Sequence, residues 1–281
     1  MNKVKKQHYV WEFYLKAWAT DNQIWCKRAG SIFNTSTENV AQERYFYAIE
    51  ALSTAEIKLL TRIVKLGPKN NQIADLSSLQ TYSLIANSQG DTPRFGMESY
   101  HTMIESNAIP VVTELRNGNG SILDDRESRV QLCIYLGHQY TRTKKIKNSV
   151  SLKLEGNNIP EEYKDCDMMK IHNALIFIFA NSIGGTICDH LDLRLIKNES
   201  DKKLITSDQP IYNFLSGSGG FSNETLIYFP ISPGLALWAE KYPNENCIAN
   251  DQKVEELNSF IVNNSNEFIF AASEDELKQF L

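Results

Sequence analysis

The run Ala174-Leu175-Ile176-Phe177-Ile178-Phe179-Ala180-Asn181-Ser182-Ile183-Gly184-Gly185-Thr186-Ile187-Cys188 is the longest apolar stretch of the chain, and the texture of the sequence changes just past it. It is shorter than the roughly 20 residues a membrane-spanning helix needs, and Asn181 and Ser182 interrupt it. Ile171 to Ile183 is apolar on nearly every side, the pattern of a buried core helix. Upstream, helical periodicity dominates. Ile49, Leu52, Ile57, Leu60 and Val64 recur at helical spacing within Tyr45–Leu66, which Gly67-Pro68 stops. Leu76 to Ser88, Met97 to Asn107 (with Pro110 beyond) and Glu127 to Lys147 read as further helices, and only Gln23 to Lys27 reads as a strand. Downstream, Leu191–Ile196, Lys203–Thr206, Leu226–Phe229 and Glu267–Ala271 read as strands, Val254–Asn264 as a helix, and Ser216-Gly217-Ser218-Gly219-Gly220 as a flexible loop. The expected class is α+β: helices over the first two thirds and a small, mostly antiparallel sheet in the last third. No linker separates independent units, so residues 1–281 are expected to form one domain, with a helical part over about 1–185 and a sheet-containing part over about 186–281.

Composition narrows the function. The chain has 281 residues and a net charge of −5, which argues against broad coating of nucleic acid. The charge is uneven: from Ala239 onward nine acids face three lysines, a balance of −6 that leaves +1 for the rest. The basic start of the chain has no apolar run behind it, so a secretory leader is not expected. Five widely spaced cysteines, with no Cys-x-x-Cys, make a disulfide framework or structural zinc site a poor fit and point to a reducing, cytoplasmic setting. There is no Walker A loop, no Gly-x-Ser-x-Gly elbow and no His-Glu-x-x-His.

A few residues have the chemistry for a site. His8, after Lys5-Lys6-Gln7, is a candidate base, acid or ligand; the bland alternative is a histidine that packs at an interface. Glu50 and Glu56 lie on or beside the Tyr45–Leu66 helix, nearly opposite at six residues apart, and share a site only if that helix begins after Glu50. His138, Gln139 and Arg142, three and four residues apart, share a helix face; Arg142 can hold a phosphate or carboxylate through its fork. Lys144, Lys145 and Lys147 extend this into a local basic patch, or merely decorate a helix C-terminus. Asp208 closes a strand in Leu204-Ile205-Thr206-Ser207-Asp208-Gln209-Pro210, where it could bind a metal or serve as turn chemistry alone.

Taken in order, these segments resemble a mainly bacterial family known as domain of unknown function 4238. Gln7-His8-Tyr9-Val10, Phe13-Tyr14-Leu15 and Trp18-Ala19 are similar to its opening. Asn39-Val40-Ala41 with Phe46-Tyr47 and Glu50 resembles its second block, and Gln139 with Arg142-Thr143 its central helix. Thr206-Ser207-Asp208-Gln209-Pro210, Phe229-Pro230-Ile231-Ser232-Pro233 with Leu237, and Leu257-Asn258 complete the series. Trp11 stands where the family has proline, and Gln209 where it has asparagine. Gln89 with Arg94 is an alternative match to the central motif. The resemblance implies a shared polar site but no particular reaction.

The polar set suggests a phosphodiester- or nucleotide-cleaving enzyme, a nuclease-type effector in bacterial defence or toxin systems. His8 would be base or acid, and Asp208 and Glu50 would hold a divalent metal (Mg or Mn) or orient His8. Gln7, His138, Gln139 and Arg142 would hold the phosphate, and the basic patch would face a nucleic acid or nucleotide. The alternative is a non-catalytic module that senses a small anion or docks a protein through the acidic tail and its Phe268, Phe270 and Phe280. A third reading makes the same polar residues a buried network that ties the N-terminal segment to the core.

Overall fold

The computed structural model describes residues 6–155, 160–214, 226–242 and 248–280. In chain order the strands are β1 (Lys6–His8), β2 (Gln23–Arg28), β3 (Ser31–Ser36), β4 (Gln42–Arg44), β5 (Asp192–Asn198), β6 (Thr206–Ser207), β7 (Tyr212–Asn213), β8 (Ile227–Ser232), β9 (Leu235–Glu240), β10 (Ile248–Ala249) and β11 (Ile269–Ala271). The α-helices are α1 (Glu12–Leu15), α2 (Thr54–Leu66), α3 (Gln72–Ala86), α4 (Thr92–Arg116), α5 (Arg126–Thr141), α6 (Lys144–Glu155), α7 (Met168–His190), α8 (Asp251–Asn264) and α9 (Glu274–Lys278). Helices lie mostly in the first two thirds, and the class is α+β.

The later sheet is mostly but not wholly antiparallel, and sheet structure reaches further toward the N-terminus than expected. The sheet ordered β10-β5-β9-β8-β7 is mixed: three pairings are antiparallel, but β10 runs parallel to β5. Gln23–Lys27, read as a strand, is β2, and sheets are not confined to the last third. The hairpin β2–β3 forms a second sheet with two late strands, in the order β3-β2-β11-β6, with Phe270 opposite Cys26. The stretch read as a loop at Ser216–Gly220 lies outside the described residues.

Local chemistry sets the helix boundaries. The helix expected from Tyr45 starts at Thr54, because Ser53 and Glu56 form a reciprocal capping box there: Glu56 N donates to Ser53 Oγ (3.2 Å) and Ser53 N to Glu56 Oε2 (2.6 Å). The helix expected over Glu127–Lys147 breaks at Arg142, the C-cap of α5, and α6 restarts at Lys144. α4 carries Pro110 in its interior and continues to Arg116. By length and composition α7 could cross a membrane, but half of its most apolar window is buried, and it packs against α3, α5 and α6. One hydrophobic cluster joins Tyr9, Val10, Trp11, Tyr14 and Trp18 to α4, α5 and the β8–β9 hairpin; a second gathers α2, α3 and α7; a third lies under α8. Phe46 and Tyr100 pack against both of the first two, and mark the seam where the polar residues meet.

Candidate functional site

The N-terminal segment enters this seam as β1, paired antiparallel with β4, and Tyr9 and Val10 beyond it are buried. β4 is flanked by Ala41 and Tyr45 at φ 49° and 57°, left-handed backbone that ordinary side chains avoid and surrounding structure must hold. Buried glutamines on two elements stitch the segment down. Gln7 Oε1 accepts the Tyr47 N–H (2.8 Å) and its Nε2 donates to the Arg94 carbonyl (3.4 Å). Gln139 Oε1 accepts the Trp11 N–H (3.2 Å), and Nε2 donates to the Tyr9 carbonyl (3.1 Å). Tyr47 adds a bond from its hydroxyl to the His8 carbonyl (2.8 Å).

Arg142 sits behind this segment, 4% exposed. Its Nη2 donates to Gln139 Oε1 (2.7 Å), its Nη1 pairs with Glu105 (2.6 Å), and its Nε has no partner. Glu105 comes from α4, as do His101 and Glu98. Spacings of four and three residues place the three on one helix face, turned toward Arg142. Burial raises the carboxyl pKa of Glu98 to about 7 against the pull of Arg142, and one of its oxygens is unpartnered. Burial likewise raises Glu105, opposed by Arg142.

The histidines divide into two kinds. His101 and His138 are buried, with rings 5.4 Å apart, and desolvation holds both well below the ordinary histidine value, His138 at about 4. His138 Nε2 is spent on Asn181 Oδ1 (3.0 Å). His8 is half-buried and its Nε2 has no partner. Burial lowers its pKa, while Glu12 and a backbone hydrogen bond to Thr37 act the other way. Beside Arg142 lies a cavity of about 50 Å³ lined by Tyr47, His101, His138, Thr141, Lys147 and Asn173 among others. It admits a few waters or a small anion, well short of the roughly 300–1,000 Å³ of pockets that enclose a whole ligand.

A family profile described as a protein of unknown function (DUF4238) matches residues 6–275. The chain belongs to the DUF4238 family. No curated protein and no solved structure matches it.

Of the residues expected at the DUF4238 site, Gln7, His8, His138, Gln139 and Arg142 gather at the seam, and two others are elsewhere. Glu50 precedes α2, points to solvent at 77% side-chain exposure, and pairs with Lys170 (3.1 Å). Asp208 is buried, and its two oxygens accept the N–H groups of Asn266 (2.8 Å) and Glu267 (2.7 Å). It folds the turn into β11; burial raises its pKa against those backbone bonds. Among the described residues no group of three or more His, Cys, Asp or Glu could hold a metal, so the metal roles given to Asp208 and Glu50 have no geometric support. The place of the three lysines on the helices is also corrected. Because α5 ends before it, Lys144, Lys145 and Lys147 fall at the start of α6, where the dipole disfavours cations. Lys144 is neutralised by Glu43 (3.0 Å) and Glu267 (3.2 Å), Lys145 donates to the Asn264 carbonyl (2.8 Å), and Lys147 lies over the Phe46 ring. Phe268 and Phe270 stack inside the core, not on a docking surface.

The residues that sequence reasoning missed are Glu98, His101 and Glu105. Their signal was present: two acids and a histidine on one face of a helix already read from Met97.

Proposed function

We propose that this DUF4238 protein cleaves phosphodiester or nucleotide bonds by general acid–base catalysis at the seam between β1, α4 and α5, as a nuclease-type effector. The observation that carries the reading is the presence of two unpartnered groups, His8 Nε2 and a Glu98 oxygen, each within reach of the charge of buried Arg142. A depressed histidine is neutral and ready to accept a proton at neutral pH; a carboxyl with a pKa of about 7 still holds one in about half of the molecules. In the step, His8 Nε2 takes the proton of the attacking hydroxyl as its oxygen bonds to phosphorus. The bond to the leaving oxygen breaks, and the Glu98 proton passes to that oxygen. Arg142 supplies positive charge behind the phosphoryl oxygens. The cavity beside Arg142 is too small for a nucleoside, so base and sugar lie outside it.

The test is incubation of the purified protein with RNA, DNA and nucleotides, in EDTA and in Mg²⁺ or Mn²⁺. His8→Ala and Glu98→Gln are expected to lower the rate by about 10²–10⁴-fold each. No turnover by wild type in any condition, or undiminished turnover by both variants, overturns the reading. The cavity itself favours one second reading, a sensor in which Arg142 and Lys147 receive a small anion. Thermal stabilisation by inorganic phosphate without turnover of any substrate selects it.

A further inference from the structure

α5 and α7 touch along a line of small residues. Arg129, Cys133 and Gly137 occupy successive turns of α5, and Ala180, Gly184 and Cys188 successive turns of α7. The glycines allow the backbones to meet: a Cβ at Gly184 would lie 2.7 Å from the Cys133 carbonyl oxygen, and one at Gly137 would lie 2.7 Å from the Gly184 nitrogen. This approach places Cys133 and Cys188, both free, on the wall of one cleft. Backbones this closely packed favour the Cα separation under about 7 Å that a bridge needs.

The surroundings differ for the two sulfurs. Cys133 is fully buried; Cys188 is half-buried and, with Cys133 and Asp189, lines a cleft of about 540 Å³ between α3, α5 and α7. The Arg129 guanidinium donates to the Cys188 carbonyl (3.3 Å) and the Leu191 carbonyl (2.5 Å), which holds its charge beside the cleft. The hydrogen bond from Cys133, opposed by burial and aided by Arg129, lowers Cys188 to about 6, while Cys133 is pushed up. The accessible sulfur is therefore the thiolate, and the buried one keeps its proton.

We propose that Cys188 and Cys133 form a peroxide-reactive dithiol, with Cys188 the attacking sulfur and Cys133 the resolving one. The Cys188 thiolate attacks one oxygen of hydrogen peroxide, the O–O bond breaks, and with one proton the departing hydroxide becomes water; Cys188 is now a sulfenic acid. The Cys133 sulfur then attacks the Cys188 sulfur, the S–O bond breaks, and a second water leaves with the Cys133 proton. The sum is two thiols oxidised and one peroxide reduced. The product pins α5 to α7, and a small thiol reductant reverses it.

The reduced full-length protein is titrated with hydrogen peroxide, quenched with N-ethylmaleimide, digested and mapped by mass spectrometry. Expected is a Cys133–Cys188 cross-linked peptide, two hydrogens lighter, that dithiothreitol abolishes. Cys133→Ser should accumulate a sulfenic acid at Cys188 that dimedone traps. In unoxidised wild type, iodoacetamide at neutral pH should label Cys188 roughly tenfold faster than buried Cys26, whose thiol burial pushes up to about 12. Wild-type protein in which both thiols stay alkylable at peroxide doses that oxidise free cysteine overturns the proposal, and so does labelling of Cys188 no faster than Cys26. Both decisive readings are made on wild type, so they hold even if Cys133→Ser misfolds.

Discussion

Two regions of the family pattern are built from similar residues and finished differently. Asp208 and Asn258 are saturated: the oxygens of Asp208 take two backbone N–H groups, its own N–H bonds to the Phe268 carbonyl (3.1 Å), and Asn258 clamps α8 to the strand before it through Ile205 N (3.0 Å) and the Lys203 carbonyl (2.9 Å). Around Arg142 the network is left open at His8 Nε2, at one Glu98 oxygen, at His101 Nδ1 and at Arg142 Nε. A saturated network fixes backbone; an open one keeps groups able to bind or exchange protons, at a cost in stability. The comparison separates scaffold from candidate chemistry within one set of family residues.

The largest effect should come from Arg142→Ala. It strands Glu105 and removes one of the two donors to Gln139 Oε1, so a loss of about 3–5 kcal/mol is expected in urea denaturation. A loss under about 1 kcal/mol would mean the pair is far more solvated than its burial shows. Asp208→Ala removes the acceptor for two backbone N–H groups and should cost about 1–3 kcal/mol, with activity per folded molecule unchanged. If activity falls with stability intact, Asp208 belongs with Arg142 and the comparison breaks.

The next test uses pH. Glu98 rises from 4.5 to about 7 on folding, so the folded state keeps a proton that the unfolded chain has lost. Its contribution is therefore lost as pH rises from about 4.5 to about 7. His8, His101 and His138, all lowered, act in the opposite direction below about 6.5. The informative quantity is thus the stability of Glu98→Gln minus that of wild type, which should increase across that window and level off above it. A flat difference refutes the shifted Glu98. Smallest of all, Glu50→Gln loses one exposed ion pair to Lys170 and should change stability by no more than about 1 kcal/mol, and turnover not at all.

Much of the seam was legible in the sequence. The positions of Gln7, His8, Gln139 and Arg142 followed from ordered motifs, and the helix that carries Glu98 and Glu105 was read as a helix. What stayed hidden was which way that face points, since an acid on a helix reads as a solvated charge until a buried arginine is known to oppose it. Glu50 was misplaced because the Ser53–Glu56 capping box delays α2 by more than two turns. The sheets were the least legible: the β2–β11 pairing joins strands from opposite ends of the chain, and nothing in the local pattern of Gln23–Arg28 names so distant a partner. β9 follows the Pro233-Gly234 turn without a clean alternation of its own, and was missed.

That β2–β11 pairing sets a timetable for synthesis. At roughly 5–20 residues per second a ribosome needs on the order of ten to fifty seconds to travel from Cys26 to Phe270. For that interval the nascent hairpin β2–β3 has emerged with one side unpaired, a template for any stray extended chain nearby. The late strand thus acts as the lock on the early one, and the growing polypeptide needs shelter until the lock arrives.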